Sequence, residues 1–265
     1  MGSRILALDA VVPFVQGTRL IVRRGMTGAT GNIYAGLHEF EDMAFALHLL
    51  RAGDLFVDVG ANVGSYTILA GSTGASCVSI EPIPSTYKDL LANVNINGMS
   101  DRVRTYQLGL GSVSGVRELT SDLDTMNHVV DGGESAHDTI KVEFTTLDSL
   151  LSDETPALLK VDVEGYESEV FGGAKNVLAS PGLLAMIVEL NGSNIRYGRI
   201  DQDVIQQLKK EGFEPYDYSP FERTLRRQSG RGSSRSGNSI FVRNLEQVLD
   251  RVRGASRISM LGTEF

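Results

Sequence analysis

Residues 54–67, DLFVDVGANVGSYT, join a short apolar run to a glycine turn and then to a segment able to form a helix. Leu55–Val59 is the length of a strand and apolar enough to be buried on both faces, as strands of parallel sheets are. Gly60 and Gly64 turn the chain into a helix that begins near Ser65. In an open parallel sheet, ligands sit outside the carboxyl ends of the strands, beside the point where strand order reverses. The turn at 60–64 is therefore the expected binding place.

The same alternation recurs along the 265 residues. Phe40, Met43, Ala44, Leu47 and Leu50 keep helical spacing, with Gly53 as a stop. Cys77–Ile80 is a second buried strand ending in Glu81-Pro82, and a helix with Tyr87, Leu90, Leu91 and Val94 on one face closes at Asn97-Gly98. Strands are expected at 103–108, 158–163 and 183–190. One helix carries Val170, Phe171, Ala174, Val177 and Leu178, another carries Val204, Ile205 and Leu208, and strands at 213–216 and 239–242 finish the sheet. This order predicts an α/β fold with a mostly parallel central sheet and helices on both faces.

Two kinds of ligand compete for the glycine turn. A dinucleotide loop reads G-x-G-x-x-G, with a middle glycine that makes room for pyrophosphate. Here Asn62 holds that place. Asp58, two residues before the first glycine, repels a pyrophosphate but suits a cationic sulfonium cofactor bearing an amino group. Glu81 closes the next strand, where an acid can accept both hydroxyls of a ribose. The helix N-terminus after Gly64 suits a carboxylate. A nicotinamide-nucleotide oxidoreductase or epimerase is the alternative, and a module that binds the sulfonium cofactor without catalysis is a third. The plainest reading is a tight turn with solvated acids.

A second focus is LKVDVEGYE, residues 159–167, where a buried strand ends in Asp162 and Glu164 and Gly165 turns the chain. A carboxylate here can serve as general base for a hydroxyl, and burial raises its pKa toward neutrality. A divalent cation held by Asp162, Glu164 and Glu189 is a less favoured route. Helix capping, or the ordering of Lys160, is the purely structural role.

HEFED at 38–42, VDVGANVGSYT at 57–67, IEP at 80–82, LLANVNING at 90–98, TLDSL at 146–150 and LKVDVEGYE at 159–167 together resemble the FkbM family of methyltransferases. The resemblance spans about Glu39 to Leu190. It implies a Rossmann-like class I methyltransferase fold, S-adenosylmethionine as cofactor, and O-methylation of a sugar or natural-product hydroxyl. It also implies cofactor contacts at Asp58, Gly60, Asn62, Gly64, Tyr66, Thr67, Glu81 and Pro82, with Glu39 added from the preceding helix; the catalytic roles expected for Asp162 and Glu164, without a resident metal, rest on their place at the strand end. Methyltransferases acting on exocyclic nitrogen commonly carry an Asn/Asp-Pro-Pro-aromatic motif at this strand end. The chain has Asp162-Val163-Glu164-Gly165, so oxygen is favoured by analogy.

One domain is expected. Within it, 1–38 form an N-terminal extension, 39–111 a cofactor-binding half, and 112–145 a polar excursion with strands near 116–119 and 140–144. Residues 146–243 form an acceptor-side half with a mobile Arg/Gly/Ser loop at 223–237, and 244–265 form a tail.

A net charge of -8 disfavours nucleic acid and anionic membranes as partners, leaving a small-molecule acceptor. The lone Cys77 excludes a disulfide framework and suits a reducing compartment, and no apolar run reaches membrane-spanning length, so a cytoplasmic protein is expected. His38, His48, His128 and His137 lack paired metal spacing and read as structural, with His128 or His137 as a possible acceptor-side base. Arg223, Arg226, Arg227, Arg231 and Arg235 read as a solvated cluster, or alternatively as a clamp on an acidic group of the acceptor.

Overall fold

The computed structural model describes residues 10–23, 32, 36–121, 123, 126–130, 138–228 and 237–265. Its strands are β1 (Ala10–Pro13), β2 (Arg19–Val22), β3 (Leu55–Val59), β4 (Ser76–Ile80), β5 (Val103–Tyr106), β6 (Gly109–Leu110), β7 (Gly115–Thr120), β8 (Thr139–Thr145), β9 (Leu158–Val161), β10 (Ala185–Glu189), β11 (Glu214–Ser219), β12 (Thr224–Arg227), β13 (Asn238–Val242), β14 (Ser259–Met260) and β15 (Thr263–Glu264). The α-helices are α1 (Phe40–Leu49), α2 (Ser65–Ser72), α3 (Pro84–Ile96), α4 (Leu147–Leu151), α5 (Glu167–Gly172), α6 (Lys175–Ala179), α7 (Asp201–Lys210) and α8 (Leu245–Arg253).

The central sheet has the order β12-β11-β13-β10-β9-β3-β4-β5 among the described residues. Strands β5, β4, β3, β9 and β10 run parallel, while β13 is antiparallel to both β10 and β11. The chain builds outward from β3 through β4 to β5, then returns to place β9 on the other side of β3. Strand order therefore reverses between β3 and β9, where Asp58 is in register with Lys160.

Alternate residues of the buried strands feed two cores. Phe45, Phe56, Leu69, Ile187 and Val248 lie in one, and Val57, Leu159, Phe171, Phe213 and Phe241 in the other. With both faces covered, the strands need apolar residues at nearly every position, which is why they read as continuous runs. Burial of each large side chain contributes about 1.5–3 kcal/mol.

Several expectations change. The single helix anticipated over Val170–Leu178 is two short ones, α5 and α6. At the break, a Cβ on Gly173 would lie 2.1 Å from the carbonyl oxygen of Gly111, so two chain segments pass too closely there for a side chain. The strand expected at 103–108 ends at Tyr106, and Gly109–Leu110 leaves for a second sheet, β6-β8-β7. Residues 224–227 of the expected loop at 223–237 instead form β12, paired with β11. Residues 229–236, with Arg231 and Arg235, lie outside the described residues, as does His137.

The expected tail is built into the core. Helix α8 packs on α1, and Phe265 is buried 5.1 Å from the Phe40 ring and 5.5 Å from His48. Arg223 donates to the carbonyls of Val252, Arg253 and Ala255. His48 Nδ1 lies 2.7 Å from Tyr218 Oη, and burial lowers its pKa to about 4, so it is a neutral core histidine. In the N-terminal extension, the β1–β2 hairpin docks on α3 through Ile21 N–H to Asn93 Oδ1 at 2.7 Å and Arg19 N–H to Asn97 Oδ1 at 2.8 Å. No helix among the described residues is long and apolar enough to cross a membrane.

Candidate active site

A cavity of about 330 Å³ opens at the carboxyl ends of β3, β4, β9 and β10. Glu39, Asp58, Gly60, Asn62, Tyr66, Glu81 and Pro82 line it, together with Asp162 and Glu164. The turn after β3 has the shape its glycines require. Gly60 has φ +77°, and a Cβ there would lie 1.8 Å from the carbonyl oxygen of Asp162. The β3 turn thus touches the β9 turn directly. Asn62, at φ +51°, accepts the Val63 N–H on its own Oδ1, the local bond that lets asparagine hold a left-handed conformation.

Gly64 and Thr67 lie outside the cavity wall and act on it from behind. Gly64 has φ +89° at the start of α2, where a Cβ would lie 2.6 Å from Leu90 Cδ1. Thr67 is buried, donates from Oγ1 to Asp58 Oδ2 at 2.7 Å and also lies 2.7 Å from Ser79 Oγ. The other oxygen of Asp58, Oδ1, is buried without a hydrogen-bond partner among the described residues, and burial raises the pKa of this carboxyl. A buried acid with an unused oxygen on a cavity wall is equipped to accept from a ligand.

Glu81 accepts from Asn62 N–H at 3.0 Å and Ile83 N–H at 2.9 Å, and burial pushes its pKa up to about 7 despite those bonds. One carboxylate therefore ties the β3 turn to the end of β4. Tyr66 donates from Oη to Glu39 Oε2 at 2.7 Å, which orients the Glu39 carboxylate. The Lys160 ammonium lies 4.9 Å over the Tyr66 ring and donates to Asp162 Oδ2 at 2.6 Å.

The acids around Asp162 have distinct ionisation preferences. Burial raises the Asp162 pKa, but the Lys160 charge together with hydrogen bonds from Lys160 and Glu189 outweighs it and holds the carboxyl below its ordinary value. Glu189 is driven well above its ordinary range by burial, then by the Asp162 and Glu164 charges. It is a neutral acid beside an anionic one. Glu164 is pushed up to about 7, by burial first and the Asp162 charge second. Oxygens of Asp162, Glu164 and Glu189 lie within 4.8 Å of one another, a spacing that could hold a metal ion. Lys160 already neutralises Asp162, and a cation would also have to displace the Glu189 proton.

Sequence reasoning assigned no role to Glu167 and treated Lys160 only as a group to be ordered. Glu167 is buried and accepts from Val163 N–H at 3.2 Å and Gly165 N–H at 3.1 Å, clamping the backbone on either side of Glu164. Glu164 itself has φ +54°. Two acids three residues apart around a glycine were the available signal for this clamp. The β6-β8-β7 sheet also supplies cavity wall through Leu119 and Phe144, with His128 and Val129 added from the segment between β7 and β8, and no local pattern announced that. The His128 ring meets a carbonyl, Met126 O, 2.9 Å from its Nδ1, so Nδ1 carries the proton in that bond.

The strand order, the reversal between β3 and β9, the antiparallel β13 and an acid-lined cavity at the reversal define a class I methyltransferase domain. Residues 58–215 match the FkbM methyltransferase domain, and the chain belongs to that family. It is 33% identical over 147 residues to the hexuronic acid methyltransferase AglP of Haloferax volcanii, covering 52% of this chain and 56% of AglP. It is 28% identical over 169 residues to methyltransferase sdnD of Sordaria araneosa, covering 51% of this chain and 65% of sdnD. The matches thus span just over half to about two thirds of the length of these relatives. Among solved structures, an FkbM methyltransferase from Methylobacillus flagellatus is similar with a TM-score of 0.45 at 14% identity, over 71% of this chain and 43% of that one.

Proposed function

We propose that this protein is an S-adenosylmethionine-dependent O-methyltransferase whose acceptor is a hydroxyl of a sugar or secondary metabolite. The observation that carries the reading is the Asp58 carboxylate, buried with one oxygen unpartnered among the described residues, on the same cavity wall as Glu81 and Glu164. A pocket rich in acids at the end of β3 favours a cationic ligand over a pyrophosphate. That distinguishes a sulfonium cofactor from a nicotinamide nucleotide. AglP, named for a hexuronic acid, supports a sugar-like acceptor.

S-adenosylmethionine supplies a methyl group on a positively charged sulfur, which an oxygen nucleophile can take. Asp58 and Glu39 would hold its cationic part, Glu81 its ribose, and the N–H groups at the start of α2 its carboxylate. Pro82, Asn62 and Gly60 complete the cradle. With that cofactor bound, Glu164 would receive the proton of the acceptor hydroxyl. Lys160 keeps Asp162 anionic, and that charge keeps Glu164 basic enough for the task.

S-adenosylhomocysteine binding measured by calorimetry tests the cofactor half, with NADH as the comparison. Glu164→Gln should lower turnover about 10²–10⁴-fold with cofactor affinity unchanged, and Asp162→Asn should also lower it. Full turnover in both variants would end the catalytic assignment. A cation held by Asp162, Glu164 and Glu189 is a second reading, favoured by their spacing. Loss of turnover on chelation, restored by Mg²⁺, would establish it.

A further inference from the structure

The cavity wall has two chemically different parts. The part made by the strand ends carries the carboxyl groups of Glu39, Asp58, Glu81, Asp162, Glu164 and Glu189, and among the described lining residues Lys160 is the one Lys or Arg. Its ammonium is already bound to Asp162. The other part comes from the small β6-β8-β7 sheet and the segment following Glu164. There Leu119, Phe144, Val129 and Tyr166 belong to a separate apolar cluster that faces the cavity without joining either main core.

This apolar wall begins at the catalytic turn. Tyr166 is two residues beyond Glu164, and its ring packs edge-on against Phe144 at 6.1 Å and Tyr197 at 5.1 Å. The wall is also fixed in place. Tyr197 Oη donates to the Val129 carbonyl at 2.8 Å, Val130 N–H to Glu118 O at 2.9 Å, and Thr120 N–H to His128 O at 3.0 Å. These bonds pin residues 128–130 both to β7 and to the turn after β10, so the surface is formed before any ligand arrives.

Building on the methyltransferase reading, we infer that the acceptor is an uncharged hydroxyl compound with an apolar face, seated against Leu119, Val129, Phe144 and Tyr166, and that anionic acceptors are rejected. An acceptor carboxylate or phosphate would enter a cavity crowded with acids, where the described wall offers it no unengaged cation. Aromatic and aliphatic side chains instead receive the C–H face of a ring, leaving its hydroxyl toward Glu164.

The test compares phenyl β-D-glucopyranoside with phenyl β-D-glucopyranosiduronate, two probes that differ in one carboxylate. Methyl transfer from radiolabelled S-adenosylmethionine is followed for both, with methyl β-D-glucopyranoside and cyclohexane-1,2-diol as further neutral probes. The phenyl glucoside should show a kcat/KM at least about tenfold above the glucuronide. Val129→Lys, which places a cation on the apolar wall, should shrink that ratio while S-adenosylhomocysteine affinity stays unchanged. Equal or faster methylation of the glucuronide overturns the inference, as does silence from every neutral probe while S-adenosylhomocysteine binds. Failure to bind S-adenosylhomocysteine would instead strike the underlying methyltransferase reading.

Discussion

Lys160 Nζ lies 2.6 Å from Asp162 Oδ2, so one buried ammonium on β9 faces the first of the acids that follow it on the same strand end. Lys160 is 3% exposed, and its pKa is lowered by burial but raised further by Asp162, Asp58 and Glu39, leaving it firmly protonated. It is the countercharge around which the acid cluster is arranged.

Lys160→Met should therefore destabilise the protein by about 3–5 kcal/mol, the cost of leaving buried carboxylates without their partner. Urea denaturation measures this, and a loss below about 1 kcal/mol would mean that solvent already screens the cluster.

Turnover should depend on pH through Glu164. With its pKa near 7, the carboxyl is protonated and inactive as a base below that value. The rate at saturating substrates should rise with a single-proton slope through about pH 7 and level off above it. A profile flat from pH 6 to 8 would assign the proton to another group.

Stability should run the opposite way. Glu81, Glu164 and Glu167 each have a folded pKa of about 7 against an ordinary 4.5. Between those values the folded state binds more protons than the unfolded state, so stability falls as pH rises. Asp162 is shifted downward, and its contribution is already complete in this window. Glu189, shifted further up, adds to this loss, while His48, with a folded pKa of about 4 against an ordinary 6.5, opposes it. The carboxyl groups outnumber it, so the ligand-free protein should lose several kcal/mol net between pH 5 and 8. Denaturation curves that coincide at the two values would contradict this.

Gly60→Ala and Gly17→Ala separate crowding from backbone strain. Both glycines have φ near +80°, but an added Cβ meets the Asp162 carbonyl at position 60 and open space at position 17. Gly17→Ala should cost about 1 kcal/mol, whereas Gly60→Ala should cost roughly 3 kcal/mol or more and abolish S-adenosylhomocysteine binding. Similar melting temperatures for the two variants would mean that the β3 and β9 turns can separate freely.

The arginines of β12 should be dispensable for the acceptor. Arg226 pairs with Asp217 at 3.3 Å and Arg227 with Glu214 at 2.5 Å, both at the edge of the sheet and away from the cavity wall. Replacing both with Ala should leave the KM values of phenyl β-D-glucopyranoside and phenyl β-D-glucopyranosiduronate unchanged. A severalfold rise confined to the glucuronide would restore the anion-clamp reading of this cluster.

The parts legible in the sequence were those whose signals are local. Leu55–Val59 and Leu158–Val161 are apolar because both sheet faces are covered, and Gly60 is required where backbone passes backbone. The small sheet was harder to place. Its strands near 116–119 and 140–144 show as β patterns, but nothing within them indicates that Leu119 and Phe144 face the cavity and not solvent. The tail at 244–265 hid its packing for a related reason: Phe265 and α8 bury against α1, some 200 residues earlier.

Taken alone, the order of residues determined the alternation of strand and helix, the glycine turn and the acids at three strand ends, since period and backbone freedom act over a few neighbours. Only the folded chain decided that β9 lies beside β3, that Lys160 meets Asp162, and that Asp162, Glu164 and Glu189 differ in protonation. Those outcomes depend on distances between charges and on exclusion of water, quantities that arise once remote segments are packed together.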